Sequence, residues 1–225
     1  MANSGWDSTD EGITILEVVI TITVAGVLLI SLLAIFPNFW ARTLREDLKV
    51  QLTIESQNIL RNVNEELKLG AGVRANNTIS DPNKAGGWTT SSTDTVLITT
   101  LPATDIDGDF IINSSTGAPY LNERVYFSEG STLYKRTLAN TSATGNTAKT
   151  TCPEAAATPS CPPDRELSNQ YDSFTFTFYD QDDILTSDPL MARSIRSTIV
   201  LSNKIFGQTV TATNNIRATL RNNYQ

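Results

Sequence analysis

Three carboxylates at alternate positions, Asp105, Asp107 and Asp109 in TDIDGDF, come nearest to a metal-ligand constellation in this sequence. Oxygens at i, i+2 and i+4 are the spacing with which a calcium loop begins. An EF-hand continues with glycine sixth and glutamate twelfth; here Gly108 is fourth and Thr116 twelfth. The segment is therefore expected to be an acidic turn between strands, with calcium a weak candidate and no cofactor or metal expected. Asp180, Asp182 and Asp183 form a second acidic turn. The absence of histidine removes Ser-His and Cys-His nucleophile pairs, His-ligated zinc and histidine bases. Cys152 and Cys161 stand alone in TCPEAAATPSC. Two thiols at that spacing suit a small disulfide loop and do not make a four-ligand metal site. No catalytic constellation emerges, and no enzyme activity is expected.

The net charge of −7 and sequence pI of ≈ 4.6 disfavour broad contact with phosphates. After Asp188 the sign changes: Arg193, Arg196, Lys204, Arg217 and Arg221 occur with no acid among them. If Arg196, Arg217 and Arg221 share an outer face, the strip is expected to meet the acidic 180–188 segment or a neighbouring subunit. Direct nucleic-acid contact is not expected.

One further carboxylate stands where chemistry makes it expensive. From Ile13 to Phe36 the sequence is apolar enough to span a bilayer, interrupted by Glu17. A carboxylate deep in such a span costs about 2.5–3.5 kcal/mol on insertion scales. The run is longer than a signal-peptide core, and the 1–12 head holds Asp7, Asp10 and Glu11 with no Lys or Arg.

The elements that carry these residues can be read from periodicity. From Phe39 to Leu69 there is neither Pro nor Gly. Leu44, Leu48, Leu52, Ile59, Val63 and Leu67 recur at helical spacing, with Val50 and Ile54 opposite. Pro37 predicts a kink or brief break, and Gly70 and Gly72 a stop. Beyond Gly72 the period becomes two. Strands are expected at Thr95–Thr99, Arg124–Phe127 and Thr132–Arg136, the last two joined by a four-residue turn, Ser128–Ser131. Phe174, Phe176 and Phe178 share one face of another strand, and Ile195, Ser197, Ile199 and Leu201 one face of the next. Val210, Ile216, Ala218 and Leu220 suit a last strand or two, interrupted near Asn214-Asn215. Strands without helices between them imply an antiparallel sheet, so the fold class is α+β, a long N-terminal helix on a meander. Residues 138–163 are expected to form an exposed loop pinned by the cysteines.

Gly12 followed by Ile13, Thr14, Ile15, Leu16 and Glu17 resembles the class III signal of type IV pilins and pseudopilins. The resemblance implies a leader at 1–12, removed by prepilin peptidase between Gly12 and Ile13, with N-methylation at Ile13. Residues 13–36 would be a transmembrane and then filament-core helix, 37–70 its amphipathic continuation, and 71–225 an extracytoplasmic β-sheet head. Glu17 would pair with a neighbouring subunit's Ile13 ammonium and set the register between subunits. The implied partners are other pilin subunits, the peptidase, an inner-membrane assembly platform and, before extraction, the membrane. Arg42, Arg45 and Lys49 after the span, counted alone, would leave the N-terminus outside. The Gly-Ile-Thr-x-x-Glu match and the cysteine pair argue instead for N-in, C-out, with a cell-surface filament after assembly.

A second resemblance rests on Leu133–Arg136, Phe178–Asp180, Arg193–Arg196 and Leu220–Asn222. It is to the larger minor pilins and J-type pseudopilins, and it implies a place at the tip or in assembly priming. An uncleaved single-pass surface binding protein and a major pilin are the alternatives.

Overall fold

The computed structural model describes residues 13–220. Gly12 and the rest of residues 1–12, the expected leader, lie outside the described residues, as do Arg221 and Asn222. The chain divides into two compact units between Asp47 and Leu48. One helix, α1 (Ile15–Leu69), supplies the described part of the first unit after Thr14 and the opening of the second. Pro37 lies inside it, so of the kink or brief break expected there, the break does not occur.

In the first unit the apolar side chains are exposed, among them Ile15 (86%), Leu33 (69%) and Ile30 (70%). The helix is long and apolar enough to cross a membrane. Its hydroxyls are satisfied within the helix. Thr21 Oγ1 donates to the Glu17 carbonyl (2.7 Å), and Ser31 Oγ to that of Val27 (2.8 Å). Such back-bonding lets Ser and Thr sit in an apolar segment without orphaned donors.

In the second unit, Leu52, Ile59, Val63 and Leu67 of α1 are buried and Val50 and Ile54 exposed, as the periodicity predicts; Leu60 is buried as well, Leu48 is half-buried, and Leu44, in the first unit, is exposed. Gly70 follows the helix because nothing larger fits. A Cβ there would stand 2.5 Å from the Thr100 carbonyl oxygen and 2.7 Å from that of Glu66. The strands then form two antiparallel sheets rather than one meander. β1 (Gly72–Arg74), β2 (Leu97–Pro102), β3 (Leu121–Glu129), β4 (Thr132–Leu138) and β5 (Arg165–Ser168) pair in chain order. β6 (Tyr171–Tyr179), β7 (Leu185–Thr186), β8 (Ser194–Ile205) and β9 (Gln208–Thr219) make the second sheet, in the order β7-β6-β8-β9.

The main core lies between the Leu48–Leu69 part of α1 and one face of each sheet. It joins Leu52, Ile59 and Val63 to Leu97, Tyr126 and Leu133, and to Phe174, Phe176, Ile195 and Ile199. A smaller core on the other face of the first sheet gathers Trp88, Val96, Ile98, Val125, Phe127 and Leu138 under the segment between β1 and β2.

Four local expectations are corrected. Thr95 takes φ 56°, which breaks the extended run, so the strand starts at Leu97. The β3–β4 hairpin turns on two residues, Gly130 and Ser131, with Glu129 paired to Thr132 and Gly130 at φ 60°. The last strand runs unbroken through Asn214-Asn215, where Asn214 Nδ2 donates to Ser56 Oγ of α1 at 2.6 Å. Residues 138–163 are not a wholly exposed loop, because Ala139, Ala143 and Cys152 are buried.

Candidate assembly segment and the polar clusters of the sheet domain

At the head of α1, Thr14 acts as a cap. The Glu17 N–H donates to the Thr14 carbonyl at 3.0 Å and to Thr14 Oγ1 at 3.3 Å. Thr14-x-x-Glu17 therefore has capping-box spacing, with Glu17 in the first turn, where the helix dipole favours a carboxylate. This local role is legible as [ST]-x-x-[DE] before an apolar run, though it is not among the expectations above. Ile13 is 75% exposed and precedes the helix. The Glu17–Ile13 pairing implied by the resemblance runs between chains, and the Gly12 side of the implied cut lies outside the described residues.

Cys152 and Cys161 form a disulfide with Cα atoms 5.6 Å apart. Its loop is tied at the neck: the Cys152 N–H donates to the Pro162 carbonyl (2.9 Å) and the Asp164 N–H to that of Cys152 (2.8 Å). Replacing both cysteines by serine is expected to cost about 2–3 kcal/mol. Urea unfolding of the oxidised protein against the double variant measures it.

A buried charge cluster in the sheet domain is not among the sequence expectations. Arg136, from the Leu133–Arg136 stretch, has a side chain 3% exposed and lies between Asp81 (0%) and Asp164 (5%). Its Nη1 donates to Asp81 Oδ2 at 2.8 Å, and its Nε to both Asp164 oxygens at 3.1 Å. Asp81 also accepts from Trp88 Nε1 (2.7 Å) and the Asn83 N–H (2.9 Å), and Asp164 from Thr151 Oγ1 (2.7 Å). Burial raises the Asp81 carboxyl, but hydrogen bonds from Arg136, Trp88 and Asn83 outweigh it and hold the group below its ordinary value. Burial likewise lowers Arg136, and its two carboxylate partners more than reverse that. The triad pins the β1–β2 segment and the disulfide neck to β4.

Two other carboxylates organise the first sheet. Glu123 is 1% exposed and accepts from the Thr78 and Ile79 N–H groups and Thr78 Oγ1, which anchors the start of the β1–β2 segment. On the opposite face Glu66 of α1 accepts from the Tyr126 hydroxyl and from Lys135 Nζ (2.6 Å). Burial, then the Glu66 charge, push the Tyr126 phenol well above its usual value.

The acidic turns serve themselves. Asp105 Oδ1 accepts from the N–H groups of Asp107 (3.0 Å) and Asp109 (2.9 Å), and Gly108 supplies φ 86°. Among the described residues no three His, Cys, Asp or Glu side chains converge as a metal site would require. In the second turn Asp183 bonds Arg217, as expected of the 180–188 segment, and that guanidinium holds the Asp183 carboxyl below its ordinary value. Arg196 and Arg217 are directly cross-strand, both over the Tyr179 ring, and Arg221 lies outside the described residues.

No protein-family model matches the chain, and comparison with curated proteins finds no match. The fold class, the long apolar helix and the disulfide thus stand on the structure itself.

Proposed function

We propose that the chain is a structural subunit of a type IV pilus or related filament, a minor pilin or J-type pseudopilin cut between Gly12 and Ile13. The observation that carries this reading is Gly-Ile-Thr-x-x-Glu at the head of an apolar helix whose side chains from Ile13 to Phe36 are unburied. Such a surface needs either lipid or other apolar helices around it. On this reading the helix serves both in turn, first as a membrane anchor and then as the filament core. The sheet domain faces outward, and Glu17 matches the amine that cleavage creates. A tip or priming position rests on the short motifs of the second half.

A second reading has its own support. Glu17 lies in the first turn of α1, where the helix dipole favours a carboxylate with no partner chain, which suits an uncleaved, membrane-anchored surface binding protein.

Intact mass of protein from native membranes or sheared filaments separates the two readings. Loss of residues 1–12 with one methyl group added at Ile13 is the expected result. A mass that retains the leader overturns the filament reading. A gain of two protons on reduction reports the Cys152–Cys161 bridge independently.

A further inference from the structure

A cleft of about 480 Å³ opens on the face of the first sheet away from α1. Its wall is a row across three strands, Phe127 of β3 paired to Tyr134 of β4, and Tyr134 to Glu166 of β5. The two rings are stacked, with centroids 5.6 Å apart. Pro153, Glu154 and Ala155 of the disulfide loop line it too, as do Arg136 and Asp164. Its size falls in the range of small-molecule sites.

The charge on this lining is one-sided. Arg136, the one cation lining it, is already matched by Asp81 and Asp164. Glu129, Glu154 and Glu166 are exposed, and none forms an ion pair among the described residues. On an open surface three glutamates would be a solvated rim. Here they ring a concave site with a stacked aromatic wall, where low-dielectric sides focus the field and a ring face attracts a cation. The site is also held rigid. The disulfide and the Thr151–Asp164–Arg136 bonds fix the disulfide neck against β4, so little ordering is left for binding to supply.

We propose that this cleft binds an organic cation with an apolar stem, an alkylammonium or guanidinium group, with the stem against Tyr134 and the charge among Glu129, Glu154 and Glu166. The proposal is independent of the filament reading.

The test is calorimetric titration of the full chain in detergent micelles with two probes, spermidine and an end-capped Gly-Arg-Gly peptide. Saturable binding of either supports the site. Spermidine alone identifies a free polyamine, and the peptide alone a basic side chain on a partner protein. The triple variant Glu129→Gln, Glu154→Gln, Glu166→Gln keeps every side-chain volume at exposed positions. It is expected to melt as wild type does and to bind at least about tenfold more weakly. Tyr134→Leu is expected to weaken binding by a similar factor. Absence of saturable binding by both probes, or affinity unchanged in the folded triple variant, overturns the proposal.

Discussion

Arg136→Leu is expected to destabilise the sheet domain by about 3–5 kcal/mol, the largest loss from any single polar substitution in it. The cost arises from what is left behind. Asp81 and Asp164 are 0% and 5% exposed, and without the guanidinium they become neighbouring buried carboxylates with no counter-charge. Changing Arg136→Leu, Asp81→Asn and Asp164→Asn together removes the charges as a set and is expected to recover most of the loss. Thermal unfolding of the single and triple variants measures both effects. The pH dependence has a definite sign. The folded-state Asp81 carboxyl lies below its ordinary value. Its contribution is therefore fully present above the unfolded carboxylate value of about 3.9 and is lost as pH falls through the depressed folded value. Asp81→Asn should flatten the acid limb of the stability profile, with little change in slope near neutrality.

The contrast between this triad and α1 shows what a linear sequence makes visible. Leu52, Ile59, Val63 and Leu67 could be assigned to one buried face because helical periodicity is a local property. Phe174, Phe176 and Phe178 were equally plain at period two. Asp81, Arg136 and Asp164 have no such period. They lie on a connecting segment, a strand and the neck of the disulfide loop, and only tertiary closure brings them together. Arg136 was noticed as part of a motif, but its partners were not. Residues 75–94 carry no strand or helix signal, yet Trp88 from this segment packs on Phe127, with ring centroids 4.7 Å apart, and helps form a second core. Asn214-Asn215 misled in the other direction. Read as a turn signal, the pair stays extended because Asn214 finds its hydrogen-bond partner on α1. At Glu17 two meanings coincide in the sequence, a capping box and a register charge.

Glu17→Gln separates them. Glutamine at this position keeps the side-chain length, the first-turn placement and the Thr14 cap, and removes only the charge. If Glu17 serves mainly the helix end, Gln is nearly silent, and even Thr14→Ala, which deletes the cap, costs only about 0.5–2 kcal/mol. If Glu17 neutralises a neighbour's Ile13 ammonium inside an apolar filament core, Gln leaves that ammonium buried and unpaired. Breaking one partner of such a pair costs about 3–5 kcal/mol, equivalent to roughly a hundredfold or more in incorporation. The filament reading therefore expects Glu17→Gln and Glu17→Ala to be equally defective in sheared filaments, while both remain in the membrane fraction and are cleaved after Gly12. The dependence on cleavage gives a further check. In a Gly12 variant that the peptidase does not cut, the Ile13 amine never forms, so adding Glu17→Gln should change nothing more. Quantitative blotting of filament and membrane fractions reads out all of these variants. Normal incorporation of Glu17→Gln beside a defective Glu17→Ala would assign the residue to the helix cap and remove the register role from the proposal.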